Sequence, residues 1–169
     1  MPVKLVLAVQ YGTQAPELPR WRLRRWVQRA LNHAAALDRT PPSHAVLTLR
    51  LVDAAEGQSL NRQFRDRDYA TNVLTFEYGR DEQNVVAGDI VLCVPVLHRE
   101  AAEQGKTLSA HAAHLTVHGV LHALGYDHLE PDEAAHMEAL ETRILAAMKI
   151  ADPYRENVAR AAMMHNPNS

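Results

Sequence analysis

Residues 118–128 read HGVLHALGYDH, and this stretch decides how the C-terminal half of the chain folds. His118 and His122 are four residues apart, which places both imidazoles on one face of a helix, about 6 Å apart along its axis. Gly125 follows three residues later, and a glycine in the left-handed conformation commonly ends a helix and turns the chain. A turn there would bring His128 back to face the first two histidines.

Three converging imidazoles are a suitable ligand set for zinc, which binds histidine nitrogen at about 2.0–2.1 Å in tetrahedral geometry. We therefore predict one Zn²⁺ per chain, bound by His118, His122 and His128. Three protein ligands leave the fourth position open, which is typical of catalytic sites, and water held there has its pKa lowered to about 7. A histidine pair alone is only moderately specific, but the glycine and the third histidine make a chance match rare.

Other polar side chains border this motif. His111 and His114 precede His118 by seven and four residues, so they share its helix face. His114 could support a ligand, contact a substrate or lie on the surface. Asp127 could orient an imidazole or cap the turn. The sequence does not choose between these roles.

The rest of the chain mixes predicted strands and helices. Alternating, β-rich stretches predict strands at 3–9, 45–52, 72–78 and 85–94. Helical spacing predicts helices at 19–37, 54–65, 95–104, 108–124 and 131–150, with Pro19 and Pro131 in first turns and Ser109 as an N-cap. Residues 1–150 should thus form one α+β domain, in which a small mixed sheet of about four strands packs with helices and the zinc site lies on a long helix and the following turn. Residues 151–169 are polar and should form a flexible tail.

Composition narrows the class of protein. Of 169 residues, 47% are apolar and 22% are charged, as in ordinary globular proteins. No apolar run approaches the roughly 20 residues that cross a bilayer, so we expect no membrane association. Cys93 is the only cysteine and falls in an apolar run, which predicts a core position, excludes an intrachain disulfide and is consistent with a reducing cytoplasm.

Charge is distributed unevenly along the chain. Residues 1–80 hold twelve Lys and Arg against seven Asp and Glu, whereas residues 81–169 hold six against thirteen. Five of the basic residues lie on one face of the first predicted helix, at 20–29. Such a face can attract phosphate, although most charged helix faces are simply solvated.

The histidine spacing resembles that of the metzincin zinc peptidases, with one difference. Those enzymes carry glutamate, the general base, directly after the first histidine, whereas this chain has Gly119. A peptidase mechanism would lack its proton acceptor here, unless a carboxylate from elsewhere in the chain replaced it. The metal ligands themselves are unaffected by this difference.

The full string at 118–128 is similar to the signature of the bacterial YbeY family. Two further segments agree in order, LNRQFRDRD at 60–68 followed by TNVLTF at 71–76, and GDI at 88–90. The resemblance runs from about residue 45 to about residue 145. Ala70 departs from the pattern, because family members commonly have proline before the threonine.

The resemblance implies a single-strand-specific, zinc-dependent endoribonuclease of the cytoplasm. It implies a role in maturing the 3′ end of small-subunit ribosomal RNA and in ribosome quality control, with single-stranded RNA, ribosomal RNA and ribosomal particles as partners and no DNA substrate. It also implies a functional arginine, which falls on Arg65. From the residues alone, Arg65 could equally form a surface ion pair with Asp66 or Asp68. Two other readings stay open, a zinc hydrolase of another substrate class and a non-catalytic, ribosome-associated zinc protein.

Overall fold

The computed structural model describes residues 2–126 and 130–150, so the predictions for Asp127, for His128 and for a tail at 151–169 lie outside the described residues. The elements of the described chain are β1 (Lys4–Tyr11), α1 (Arg20–Ala36), β2 (His44–Val52), α2 (Ala54–Arg65), β3 (Val73–Arg80), β4 (Val85–Cys93), α3 (Val94–Gln104), α4 (Leu108–Ala123) and α5 (Pro131–Ala147). The predicted α+β class and the four-stranded mixed sheet are confirmed.

The four strands form one sheet in the order β1-β2-β4-β3. β1 pairs with β2 and β2 with β4 in parallel, while β3 runs antiparallel to β4 at the edge. Because side chains alternate across a strand, Leu47, Leu49 and Leu51 of β2 face the main core shared with α1, α4 and α5. A second, smaller cluster on the opposite face includes Val91 and Cys93.

Helix α4 runs through the main core. Most of its residues are buried, and Thr107 is its N-cap, with the hydroxyl oxygen accepting from the backbone N–H of Ala110 at 3.0 Å. The expectation that Ser109 caps this helix was therefore wrong. Thr107 lies outside the helix with extended backbone angles, which leaves its side chain free to reach back to the first turn.

Two smaller differences concern element ends. Pro19 is the N-cap of α1 and not a first-turn residue, because its backbone is extended. Helix α5 ends at Ala147, three residues earlier than predicted, because Lys149 has a left-handed backbone with φ of 63°.

Cys93 is buried as predicted, and burial raises the pKa of its thiol. No helix within 2–126 and 130–150 is both long and apolar enough to cross a membrane.

Candidate metal centre

His118 and His122 lie one turn apart near the C-terminal end of α4, as the spacing predicted. Their Nε2 atoms are 3.1 Å apart and their ring centroids are 4.6 Å apart. Two nitrogens bound to one tetrahedral zinc would be separated by about 3.3–3.4 Å, given zinc–nitrogen distances of about 2.0–2.1 Å. The observed pair is within a few tenths of an ångström of that separation. The His118 side chain is 22% exposed, so an ion at this point would be accessible from solvent.

The carboxylate of Glu141 on α5 contacts two histidines of α4, His118 and His114. Its carboxylate is fully buried, with Oε1 2.5 Å from Nδ1 of His118 and Oε2 3.1 Å from Nε2 of His114. An ionised carboxylate can only accept hydrogen bonds, so Nδ1 of His118 donates to it. The lone pair of His118 then lies on Nε2, the atom that faces His122. Carboxylate support of this kind fixes the tautomer and the ring orientation of metal-binding histidines.

The chain turns after His122 as the sequence predicted. Gly125 has φ of +101°, a conformation that glycine adopts without steric cost. Its N–H donates to the carbonyl of His122 at 2.9 Å, and the N–H of Tyr126 donates to that of Leu121 at 3.0 Å. These bonds satisfy carbonyls at the end of the helix and direct the chain away from its axis.

The described residues supply part of the predicted ligand set. Within 2–126 and 130–150, no group of three histidine, cysteine or acidic side chains is placed to hold a metal ion. His118 and His122 are close enough to share one, and the third predicted ligand, His128, lies outside the described residues. The donor set fits zinc in two respects, the separation of the two Nε2 atoms and the carboxylate behind His118.

His111 and His114 have different surroundings although they share a helix face. His114 reaches Glu141, the same carboxylate that holds His118. His111 is buried, and its Nε2 lies 2.9 Å from Oε1 of Glu100, which also accepts from the side-chain amide of Asn72 at 3.0 Å. Burial lowers the pKa of His111, and the nearby Glu100 opposes that shift only in part. His111 therefore packs as a core residue, while His114 shares the carboxylate of Glu141 with His118.

Sequence reasoning missed Glu141, although a signal was present. The buried stripe of α5 consists of Met137, Leu140, Glu141, Ile144 and Leu145. This is the spacing of an apolar helix face, and a glutamate within such a face is rarely buried without a partner. An acidic residue on a buried stripe, in a chain with clustered histidines, indicates carboxylate support for one of those histidines.

Gly119, where a peptidase would carry glutamate, packs directly against Ile90 of the sheet. A Cβ atom built there would lie 2.7 Å from Cγ2 of Ile90 on β4, a distance that real Cβ atoms essentially never show. A glutamate side chain at this position would collide with the sheet. The glycine thus allows α4 to pack closely on β4, and no general base can stand where the metzincin pattern has one.

Arg65 is the last residue of α2 and is exposed. Its Nη2 donates to the carbonyl of Thr75 on β3 at 2.8 Å, and its guanidinium carbon lies 5.4 Å from the ring centroid of Phe76. Among the ion pairs of the described residues, none joins Arg65 to Asp66 or Asp68. The surface ion pair that the sequence also allowed for Arg65 is therefore not formed in the described chain.

The guanidinium is connected to the histidine helix through the sheet. Thr75 is paired with Ile90 across β3 and β4, and Ile90 packs against Gly119, the neighbour of His118. The other N–H groups of the exposed guanidinium are available for a phosphate, since only one hydrogen bond of Arg65 is formed within the described chain.

Comparisons with known proteins found one matching family model and several similar relatives. The family model described as "Endoribonuclease YbeY" matches residues 9–149. A Bordetella pertussis protein named endoribonuclease YbeY is 65% identical over 154 residues, which cover 91% of this chain and 98% of that protein. A Thiobacillus denitrificans protein of the same name is 50% identical over 155 residues, covering 91% and 99%. The solution structure of a Thermotoga maritima protein has the same fold, with a TM-score of 0.56 at 21% identity, over 85% of this chain and 92% of that one.

Proposed function

The chain belongs to the YbeY family of endoribonucleases, and we propose that it hydrolyses phosphodiester bonds of single-stranded RNA with a zinc ion held by His118, His122 and His128. The observation that carries the proposal is the pair of Nε2 atoms 3.1 Å apart on α4. A metal ion that acts on RNA must be reachable from solvent, and His118 is partly exposed there.

The residues of the chain have separable roles in this proposal. A bound zinc ion would act as a Lewis acid toward a phosphate oxygen and would lower the pKa of water. Glu141 keeps a proton on Nδ1 of His118 and so directs its Nε2 lone pair outward. Arg65 holds a phosphate through its remaining N–H groups, because guanidinium geometry suits two parallel hydrogen bonds to phosphate oxygens.

The substrate follows from the family. Relatives at 50–65% identity over nearly their whole length are named endoribonucleases, so the substrate is RNA. We further assign to the chain a role in maturing the 3′ end of small-subunit ribosomal RNA in the cytoplasm, on ribosomal particles. Gly119, which leaves no room for a glutamate, argues against the alternative of peptide hydrolysis.

The test compares wild type with His122→Ala, each with and without a chelator, and with His98→Ala as a matched control. His98 is an exposed histidine on α3. The protein is purified without a histidine tag, its metal content is measured, and cleavage of a single-stranded RNA is followed. We expect about one zinc and RNA cleavage in wild type and in His98→Ala, and loss of both in His122→Ala.

Three outcomes would contradict the proposal. Absence of bound metal in wild type would remove the metal site. Zinc binding without RNA cleavage, with the free protein and with ribosomal particles, would favour a structural zinc protein. Digestion of a peptide library instead of RNA would indicate another class of hydrolase.

A further inference from the structure

A recess of about 450 Å³ lies where the start of α1, the start of α4 and the residues after α5 meet. Trp21 and Arg22 line it from α1, together with Arg25 one turn later, and Lys149 lines it from just after α5. We call these four residues the Trp21 surface. Trp21 is 60% exposed, whereas Trp26, also on α1, is 5% exposed and belongs to the core.

The Trp21 surface carries positive charge without acidic partners. None of Arg22, Arg25 and Lys149 is in an ion pair within residues 2–126 and 130–150, and no acidic residue is among the described residues that line the recess. The Arg22 guanidinium lies 5.1 Å from the Trp21 ring centroid and donates to the carbonyl of Glu17 at 3.0 Å. Arg22 is thereby held beside the indole ring.

The N-terminus of α4 adds to the positive charge of the Trp21 surface. Ser109 and Ala110 of its first turn line the recess, and that turn contains no acidic residue. The first N–H groups of a helix carry partial positive charge, which favours anions such as phosphate. The helix end adds partial positive charge next to Arg22, Arg25 and Lys149. By itself it would not define a binding site.

We propose that the Trp21 surface binds a second segment of the same single-stranded RNA, with a base stacked on Trp21 and the backbone phosphates paired with Arg25 and Lys149. Proteins that bind single strands combine a basic surface with exposed aromatic rings, because every base has a face on which it can stack. A row of arginines alone is usually solvated, and a single exposed tryptophan is common. Here both occur in one recess, and none of the described residues that line it carries a carboxylate. The inference rests on the proposed function.

Helix α4 fixes the separation between this surface and the histidine pair. Ser109 and His122 are thirteen residues apart on one continuous helix, which corresponds to about 20 Å. A stacked strand rises about 3.4 Å per nucleotide along its axis, so about six nucleotides would connect the two places. RNA shorter than this could not occupy both places at once, so its cleavage at the histidine pair would not depend on Trp21.

The test measures binding of a fluorescein-labelled oligouridine to metal-free protein by anisotropy over a range of salt concentrations. The oligouridine is about twice as long as the segment of about six nucleotides that would connect the two places. The variants are Trp21→Ala, Trp21→Phe and the double variant Arg25→Ala with Lys149→Ala. The matched control is Arg39→Ala with Arg99→Ala, which removes two charges from exposed positions outside the recess.

Trp21→Ala should weaken binding about tenfold with an unchanged salt dependence, because stacking is lost and phosphate pairing is kept. Trp21→Phe should restore most of the binding. The double variant should flatten the slope of log K against log salt by about 1.4, since each phosphate contact on a single strand contributes about 0.7. The chain has two tryptophans, so a Trp26→Phe variant reports on Trp21 alone, and its fluorescence should be quenched by RNA.

Equal affinity and equal salt slope in the double variant and in its control would overturn the proposal, as would unquenched Trp21 fluorescence at saturating RNA. Failure of the nuclease function is distinguishable, because binding is measured without metal. In cleavage assays with metal, Trp21→Ala should raise KM for the long RNA several-fold and leave kcat unchanged. Cleavage of an RNA of three nucleotides should not change.

Discussion

The carboxylate of Glu141 lies 2.5 Å from Nδ1 of His118, and the two residues belong to different helices, α5 and α4. The same carboxylate reaches Nε2 of His114 at 3.1 Å, so one buried group joins two histidines of α4 to the neighbouring helix. A buried charge is costly unless it is paired and hydrogen-bonded, which these contacts provide. Glu141 thus serves the packing of α5 and the orientation of the proposed ligand His118 together.

Glu141→Gln should lower metal affinity about 10- to 100-fold, because the amide is neutral and supports the Nδ1 proton of His118 more weakly. Zinc affinity is measured by competition with a chelating dye. The matched control is Glu138→Gln, an exposed glutamate on the same helix, which should bind zinc as wild type does. Wild-type affinity in Glu141→Gln would show that the carboxylate only packs the helix.

Gly119→Ala should destabilise the protein by about 1–3 kcal/mol, because its Cβ would lie 2.7 Å from Cγ2 of Ile90. Alanine in a helix is intrinsically more favourable than glycine by about 1 kcal/mol, so a loss of stability in Gly119→Ala would point to the contact with the sheet. Urea unfolding of the metal-free protein measures the effect. In an Ile90→Ala background the cost of Gly119→Ala should be smaller. An equal or greater cost in that background would mean that the contact with Ile90 is not the cause.

Local patterns predicted the elements and their type, and they predicted the histidine pair and the glycine turn that follows it. Alternation in β2 and the spacing of Leu23, Val27 and Leu31 in α1 depend on neighbours along the chain. The role of Glu141 and the backbone contact of Arg65 depend on residues that are distant in sequence. His118 and Glu141 are 23 residues apart. No short-range sequence pattern predicts which glutamate forms a hydrogen bond with which histidine.

His111 should make stability depend on pH in the mildly acidic range. Burial lowers its pKa below the ordinary value of about 6.5, so below that pH the unfolded chain takes up a proton that the folded chain does not. The folded state then loses stability as pH falls from about 6.5 toward the lowered pKa. His111→Gln should show a smaller decline in urea midpoint between about pH 7.5 and pH 5 than wild type. The same substitution at exposed His98 should leave the decline unchanged, and identical curves for wild type and His111→Gln would contradict the assignment.

Arg65→Ala should abolish RNA cleavage and leave zinc content unchanged, because its guanidinium is proposed to hold phosphate and does not contact the histidines in the described chain. Arg65→Lys should also be strongly impaired, since an ammonium group cannot make two parallel hydrogen bonds to a phosphate. Cleavage rates at saturating RNA, with metal content measured on the same samples, give both readouts.

Arg62→Ala is the matched control for this prediction, because Arg62 is an exposed arginine one turn earlier on α2. It should cut RNA at the wild-type rate. If Arg65→Ala also cuts normally, Arg65 has no part in the reaction, and its bond to the carbonyl of Thr75 only fastens the end of α2 to the edge of the sheet. In that case Arg65→Ala should lower stability while activity is kept, and thermal unfolding of the same samples separates the two explanations.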